Sequence, residues 1–294
     1  MRSTIRLIAP VLAGAAALAS LPAMAQDTSD AAQPSSPAAD IATGGDSLTI
    51  AVGAATVPSY EGSDKNRIIP AAAIRGSISG INFSTRGARL FVDLVPNASG
   101  PGLDFQLGPV VGVNTDRTSR KSIDDKRVEA LGKRDTAIEL GGYVGIARTG
   151  VITSDYDTLG VSVAYTQDVN KAHKSYLITP QINYGTPLSR KAFVGLSVGA
   201  TYVGGEYADT YFSVTPAGSL ASTLPTYNAG KGWKNYSVSA LATYSLTGDL
   251  LHGLSLVAGG SYSKLLNDFA DSPVTRIAGD RDQLIGAVGL AYTF

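Results

Sequence analysis

The sequence predicts an all-β protein, a transmembrane antiparallel up-and-down β-barrel of about twelve strands in the outer membrane of a Gram-negative bacterium. From Leu48 to Phe294, apolar residues recur at every second position with small or polar residues between them, as in strands that face lipid on one side and a lumen on the other. Charged residues make up only 16% of the chain, below the roughly 25% of soluble domains. After the N-terminus no stretch reaches the roughly 18 apolar residues of a membrane helix, so we expect any crossing to be made by strands.

The N-terminus predicts export. Arg2 and Arg6 flank the start of an apolar stretch that ends in an A-x-A pattern, which is typical of a Sec-type signal peptide. A retained membrane anchor is the alternative, but the apolar run is short for a span. The segment that follows is rich in Ala, Ser, Pro and Asp and has no apolar periodicity. We therefore expect a signal peptide over residues 1–25 with its cleavage signal at Ala23, Ala25 and Gln26, a flexible periplasmic tail over 26–46, and a barrel over 47–294.

Composition excludes several classes of function. The 24 basic and 24 acidic residues leave no charge excess, so no nucleic-acid partner is expected. The absence of cysteine excludes thiolate catalysis and cysteine-ligated metals.

The alternating segments give the strand count. It is twelve if Ile81–Arg86 and Leu90–Val95 are separate strands that turn at Gly87-Ala88, and eleven if they are continuous. Single-chain bacterial barrels have an even number of strands, which favours twelve and leaves ten as the even alternative. The other strands are predicted at residues 48–55, 68–75, 103–114, 135–148, 157–169, 174–186, 191–205, 234–248, 251–265 and 282–294.

Charge and loop length predict the topology. Asp93 and Asp104 would cost a few kcal/mol each if they faced lipid near the midplane, so their side of each strand must line the lumen. With both termini periplasmic, the long segments become extracellular loops and the short ones periplasmic turns. One of the long segments, Thr115–Arg134, carries charges of both signs and is predicted to be a solvated loop.

Aromatic residues mark the expected membrane interfaces. Eight tyrosines fall on the apolar side of their strands, mostly near strand ends, which predicts an aromatic girdle in contact with outer-membrane lipid. The chain also ends in an alternating strand whose last residue is phenylalanine, similar to the signal that the barrel-assembly machinery recognises. The girdle comprises Tyr165, Tyr176, Tyr184, Tyr202, Tyr236, Tyr244, Tyr262 and Tyr292, and the assembly signal comprises Leu290, Tyr292 and Phe294.

Several motifs resemble the MipA/OmpV family of outer-membrane proteins, the MltA-interacting protein family. They are PSYEGS after the first strand, with Pro58, Tyr60, Gly62 and Ser63, then Arg86-Gly87 before LFVDL, GPGLDFQLGP, and the final GLAYTF. The resemblance implies a barrel that scaffolds a lytic murein transglycosylase and a bifunctional penicillin-binding protein. It brings no catalytic motif to this chain.

The residues offer little catalytic chemistry. His173 and Ser175 at an extracellular rim would suit a lipid hydrolase, but a histidine between lysines at a strand tip is more often solvated. Asp155, Asp157 and Asp209 would have to converge to make an acidic peptide-hydrolase site. We predict no catalytic, cofactor or metal site.

The functional prediction is a non-enzymatic scaffold or adaptor for peptidoglycan-processing enzymes. A narrow diffusion porin is the first alternative, and an outer-membrane lipid or peptide hydrolase is the second.

Overall fold

The protein, described here by a computed structural model over residues 46–96 and 102–294, is a closed antiparallel barrel of twelve strands, as the sequence predicts. Neighbours in sequence are neighbours in the sheet, and β1 closes the barrel against β12. The strands are β1 (Ser47–Pro58), β2 (Asn66–Ile78), β3 (Ile81–Arg86), β4 (Arg89–Asp93), β5 (Leu103–Asn114), β6 (Ala137–Thr149), β7 (Thr158–Asp168), β8 (Tyr176–Pro187), β9 (Ala192–Val203), β10 (Gly232–Ser245), β11 (Gly253–Leu265) and β12 (Asp282–Thr293).

The predicted signal peptide and nearly all of the predicted tail lie outside the described residues. The predicted turn at Gly87-Ala88 is confirmed, since Arg86 pairs with Arg89 across it. The count is therefore twelve rather than ten.

The alternation gives the barrel an apolar outer surface and a lumen lined by both polar and apolar side chains. The outward residues of β5 are exposed, with Phe105 at 61% and Leu107 at 55%, while Val110 on the inward side is buried. Asp93 and Glu139 lie inside, at 4% and 1% exposure, which fits the cost of placing a charge toward lipid.

Closure between β1 and β12 depends on small residues. Gly53 pairs with Gly289, and Ala51 with Ala291. A Cβ atom built on Gly53 would lie 2.1 Å from the carbonyl oxygen of Val288, so the two backbones approach more closely than any other residue would allow.

The four long loops lie at one end of the barrel, the end that the sequence predicts to be extracellular and that is called so below, and they are not irregular. They contain a 3₁₀ turn (Arg120–Ser122) and five short helices. Two of the helices begin with proline after a hydroxyl residue, and the Thr215 and Ser272 side chains accept hydrogen bonds from the first turn, as N-caps do. The helices are α1 (Lys126–Ala130), α2 (Gly205–Phe212), α3 (Pro216–Ser222), α4 (Asn267–Asp271) and α5 (Pro273–Arg276).

Candidate functional site

The loop between β1 and β2, residues 59–65, is the centre of a structure that closes the extracellular mouth. It is held by its own bonds: the hydroxyls of Ser59 and Ser63 lie 2.8 Å apart, and the Ser63 N–H donates to the Tyr60 carbonyl at 2.9 Å. Gly62 has φ +92°, and a Cβ there would lie 2.7 Å from Thr275 Oγ1. Both the backbone conformation and the space require glycine, which explains the PSYEGS motif in physical terms.

Tyr60 joins this loop to three others. Its ring is 1% exposed, and its hydroxyl donates to the carbonyl of Ala278 in the β11–β12 loop. Burial raises the pKa of the Tyr60 hydroxyl well above its usual range, and the charges of Asp125 and Asp64 add to that effect. The apolar cluster around Tyr60, called here the upper cap cluster, contains residues from all four long loops: Tyr60, Ile123, Val128, Val214, Leu224, Val274 and Ala278.

A second cluster, called here the lower cap cluster, joins the loops to the barrel wall. Phe212 of α2 packs edge-on against Phe269 of α4 with ring centroids 5.1 Å apart. Both rings pack with inward residues at the extracellular ends of β8, β9 and β11. The upper cap cluster draws on the β1–β2, β5–β6, β9–β10 and β11–β12 loops, which leave the barrel at points around its rim, so the packed loops span the mouth. The members of the lower cap cluster are Leu177, Val203, Tyr207, Ala208, Tyr211, Phe212, Ala229, Leu265 and Phe269.

A buried ion pair lies beneath these clusters. The ammonium of Lys234, whose side chain is fully buried, lies 2.6 Å from a carboxylate oxygen of Glu61 and donates to the Tyr207 hydroxyl at 3.0 Å. The pairing register between β9 and β10 shifts between Trp233 and Asn235, so Lys234 sits on a bulge. A bulge re-aims a side chain, and here it accounts for a lysine on the lumen side next to an inward asparagine.

The β5–β6 loop is not solvated throughout, and that prediction is wrong for its first residues. Asp116 and Arg117 are 4% and 1% exposed. The Arg117 guanidinium donates to the Tyr211 carbonyl at 2.6 Å, and the Asp116 carboxylate accepts from the Glu61 N–H at 3.1 Å. Burial raises the pKa of the Asp116 carboxyl, with Arg117 opposing the shift. These side chains make contacts between loops rather than meeting water.

His173 is also buried, which corrects the expectation of a solvated histidine. The Asp168 carboxylate accepts hydrogen bonds from the N–H groups of His173 and Lys174, both at 2.7 Å, and this turns the ring inward. The ring Nδ1 accepts from the Ser175 N–H at 3.2 Å, and Nε2 lies 3.4 Å from Glu139, which also pairs with Arg89. Both ring nitrogens are engaged, so neither is placed to activate a serine hydroxyl.

The other catalytic candidates do not converge. Asp155 and Asp157 belong to the periplasmic β6–β7 turn, whereas Asp209 lies in α2 at the extracellular end. His252 is exposed in the β10–β11 turn, at the opposite end from His173. Among residues 46–96 and 102–294, no group of three or more His, Cys, Asp or Glu is arranged to hold a metal.

Below the cap the lumen contains a cavity of about 210 Å³. Its wall includes periplasmic-end residues such as Thr293 and Leu250, and it rises to Ile285 in the extracellular third of β12. Much of the wall is small or apolar, with Leu241 and Val257 among its larger members. The cavity therefore lies on the periplasmic side of the cap.

The predicted girdle residues all lie on the outward side of their strands. Tyr165 stacks on Tyr176 at 5.9 Å, and Tyr236 meets Tyr262 at 6.4 Å. Tyr165, Tyr176, Tyr202, Tyr236 and Tyr262 lie toward the extracellular end, and Tyr184, Tyr244 and Tyr292 toward the periplasmic end.

The predicted assembly residues face outward at the end of β12. Leu290, Tyr292 and Phe294 are 46%, 47% and 61% exposed. Their role in assembly stays a prediction, as does signal cleavage at residues 23–26, which lie outside the described residues.

The sequence did not predict Glu61, Lys234 or Arg117 as structural residues. The adjacent polar pair Lys234-Asn235 in an otherwise alternating strand was the available signal for a bulge. Burial of the loop charges left no local signal, because it depends on contacts between distant segments.

The chain has weak similarity to several solved structures. In the described ranges no helix is of a length and hydropathy that would let it cross a membrane. The chain resembles the COG4313 outer membrane channel from Pseudomonas putida F1 (12% identity, TM-score 0.42, 86% of this chain and 97% of that one). It also resembles the outer membrane protein OprD from Pseudomonas aeruginosa (12% identity, TM-score 0.37, 84% of this chain and 65% of that one). A third similar structure is the Pseudomonas putida toluene transporter TodX (9% identity, TM-score 0.33, 88% of this chain and 91% of that one).

No curated protein matches the chain. The family described as MltA-interacting protein MipA matches residues 50–294, which takes in almost the whole barrel. The chain therefore belongs to the MipA family, and it is an outer-membrane β-barrel.

Proposed function

We propose that this protein is a non-enzymatic scaffold that binds a lytic murein transglycosylase, and a bifunctional penicillin-binding protein, on its periplasmic side. The family description, MltA-interacting protein, supports the transglycosylase as a partner, and the penicillin-binding protein is a further part of the proposal. The observation that carries the proposal is the packed cap: with the extracellular mouth closed, the periplasmic end is the accessible one. The same cap argues against an open diffusion porin.

The β6–β7 turn, residues 150–157, is a periplasmic surface held by hydrogen bonds to a single carboxylate. The Asp157 carboxylate accepts from the N–H groups of Val151, Ile152 and Thr153 at 2.6, 2.8 and 2.6 Å. These bonds hold Ile152 and Tyr156 at the surface, 66% and 60% exposed. Apolar side chains held at a rigid surface serve as anchors for a protein partner.

The turn alone offers less than the roughly 800 Å² per partner of a stable interface. The tail at residues 26–46 leads directly into β1, which starts at the periplasmic end. In this proposal the tail supplies the additional contact area with the partner and becomes ordered when the partner binds.

The test is capture of a purified lytic transglycosylase by the folded, full-length barrel. We expect deletion of residues 28–43 to weaken capture. We expect the double variant Ile152→Ser/Tyr156→Ser to weaken it about tenfold or more, as loss of interface anchors does. Leu220→Ser is the matched control, since Leu220 is an 89% exposed apolar residue on the extracellular α3.

Unchanged capture by the turn variant and the tail deletion would remove both segments from the proposal. No capture by the unmodified protein would exclude the scaffold role for this chain.

A further inference from the structure

We infer that the barrel wall opens sideways between β2 and the β3–β4 hairpin, and that the opening admits the hydrocarbon chain of a long-chain carboxylate from the membrane into the lumen cavity. This is an activity separate from the scaffold role, and it depends on the wall of the barrel rather than on its periplasmic turns.

The strand ladder is incomplete at this place. β2 pairs along its whole length with β1, but it pairs with β3 only from Arg75 to Ile78. In the described part of the chain, no strand pairs with the other edge of β2 from Asn66 to Ala73. Ala72 is the central residue of β2 and pairs with Val52 near the centre of β1, so the unpaired edge begins at mid-strand depth.

Side chains mark the point where the strands part. The Thr85 hydroxyl accepts from the Ile74 N–H at 3.0 Å and donates to the Ile74 carbonyl at 3.2 Å, in place of a backbone partner. Beyond it, Arg86 reaches into the lumen, where its guanidinium donates to Gln181 at 3.3 Å and lies 4.3 Å above the Phe91 ring. The tip of the hairpin stays with β5, where the Val113 N–H donates to the Ala88 carbonyl at 3.2 Å, instead of continuing along β2.

The edge is unsuited to receiving another strand. The backbone groups of Ile74 point toward β3, so the alternation places those of Ala72, Pro70 and Ile68 on the same edge. Pro70 has no N–H to donate, and proline on an edge prevents pairing with a further strand. The outward side chains beside this edge are apolar, with Ile68 80% exposed, so they contact the acyl chains of the membrane.

The lumen cavity reaches the same edge. Its lining contains Ala72 and Ile74 from β2 together with Thr85 from β3. Ala73 has inward parity and is exposed, so its side chain faces the cavity beside this edge. At about 210 Å³ the cavity is smaller than the roughly 300–1,000 Å³ of sites for drug-sized ligands, so it suits a single narrow chain.

The lining also indicates the chemistry of the ligand. Leu241, Val257 and Ile285 face an aliphatic chain, and burying it there stabilises binding through the hydrophobic effect. Arg75 is the one charged side chain among the described residues of the lining. A guanidinium close to an apolar wall favours a carboxylate head group.

Because the chain has no cysteine, single-cysteine variants test the opening directly. Nitroxide labels at Ala73→Cys, Thr243→Cys and Ala242→Cys would be compared in phospholipid nanodiscs by power-saturation EPR, with oxygen and a water-soluble nickel chelate as relaxants. We expect the label at position 242, on the lipid face, to be relaxed mainly by oxygen, and the label at position 243, in the lumen, to be relaxed mainly by the nickel chelate. We expect the label at position 73 to be relaxed by both reagents. Relaxation by the nickel chelate alone at position 73 would overturn the lateral route.

Binding is tested with a diazirine-bearing palmitic acid crosslinked to the full-length barrel in nanodiscs, followed by peptide mapping. We expect crosslinks at Leu241 and Val257, which lipid outside a complete wall cannot touch. Ala71→Phe should lower them about tenfold, the loss expected when roughly two buried methylene contacts are excluded. Ala242→Phe, the same change on the lipid face, should leave them unchanged.

Leu241→Gln is a second cavity variant that we expect to fold, because its inward neighbours Ser239 and Thr243 are already polar. Heat-modifiable migration on a gel checks that the barrel of each variant is folded. Leu241→Gln should lower the crosslinks at Val257 without loss of folding. Crosslinks confined to outward residues such as Val52, or an unchanged yield in both folded cavity variants, would overturn the binding site.

Discussion

The two ends of the barrel are stabilised in different ways. At the extracellular end, four loops share two apolar clusters and bury charges such as Lys234 and Asp116. At the periplasmic end hydrogen bonds, rather than apolar clusters, hold the described turns, such as the Leu251 N–H with Asp249 at 2.8 Å and the Leu250 N–H with the Arg190 carbonyl of the neighbouring turn at 3.0 Å. The cap therefore has the tertiary core of a small soluble domain, whereas the turns have none. A change in the cap should spread between loops, and a change in a turn should stay local.

The largest effect is expected for Tyr60→Ala. Removing a buried aromatic side chain costs about 3–5 kcal/mol, and here the lost contacts join all four loops. We expect the cap to open while the barrel stays folded, so that trypsin cleaves the Arg117–Arg134 segment roughly a hundred times faster and conductance in planar bilayers rises.

Leu220→Ala, at an 89% exposed position in the same cap, is the control. It should change neither the rate of trypsin cleavage nor the conductance. If Tyr60→Ala exposed only the β1–β2 loop to cleavage, the cap would not be one cooperative unit.

A smaller effect is expected for Glu61→Gln. The variant removes the counter-charge 2.6 Å from the buried Lys234 ammonium, at a cost of about 3 kcal/mol. The fluorescence of Trp233, the single tryptophan, reports the transition because the residue adjoins Lys234 and packs against Tyr202 at 5.5 Å. We expect a lower urea midpoint for that signal, and partial recovery when Lys234→Met is added.

The exposed pair Lys126–Glu129, with its atoms 2.7 Å apart, provides the matched comparison. Glu129→Gln should leave the urea midpoint almost unchanged, since an exposed pair is screened by solvent. If Glu61→Gln and Glu129→Gln lowered the urea midpoint equally, burial of the Lys234–Glu61 pair would not add to its effect on stability.

The strands could be predicted from the sequence, and the cap could not. Alternation is a local property, so residues such as Leu103 and Phe105 were assigned correctly to the outer face, and Asp104 to the lumen. The packing of Tyr60 against Ala278 joins loops from the two ends of the chain, and no local pattern indicates it. The positions of α3 and α5 did have a local signal, in Thr215-Pro216 and Ser272-Pro273.

The smallest predicted effect is a difference in pH dependence between the two ends. Burial raises the pKa of the Asp116 carboxyl in the cap. Burial would also raise the pKa of Asp157 in the turn, but the N–H donors of Thr153, Val151 and Ile152 and the hydroxyl of Tyr184 outweigh it and hold that pKa well below its usual range. An unfolded aspartate has a pKa of about 3.9. Ionised Asp157 therefore stabilises the turn above that pH, and its contribution is lost as the pH falls toward the lower folded pKa.

For Asp116 the sign is reversed, because its stabilising contribution is present below about pH 3.9 and is lost as the pH rises through its raised pKa. On acidification, hydrogen-exchange protection should increase in the cap and decrease in the turn. Asp157→Asn should abolish the change in the turn and Asp116→Asn the change in the cap, while Asp155→Asn, at an exposed position of the same turn, should alter neither. Protection that moved in the same direction at both ends would mean that another titrating group dominates at one of them.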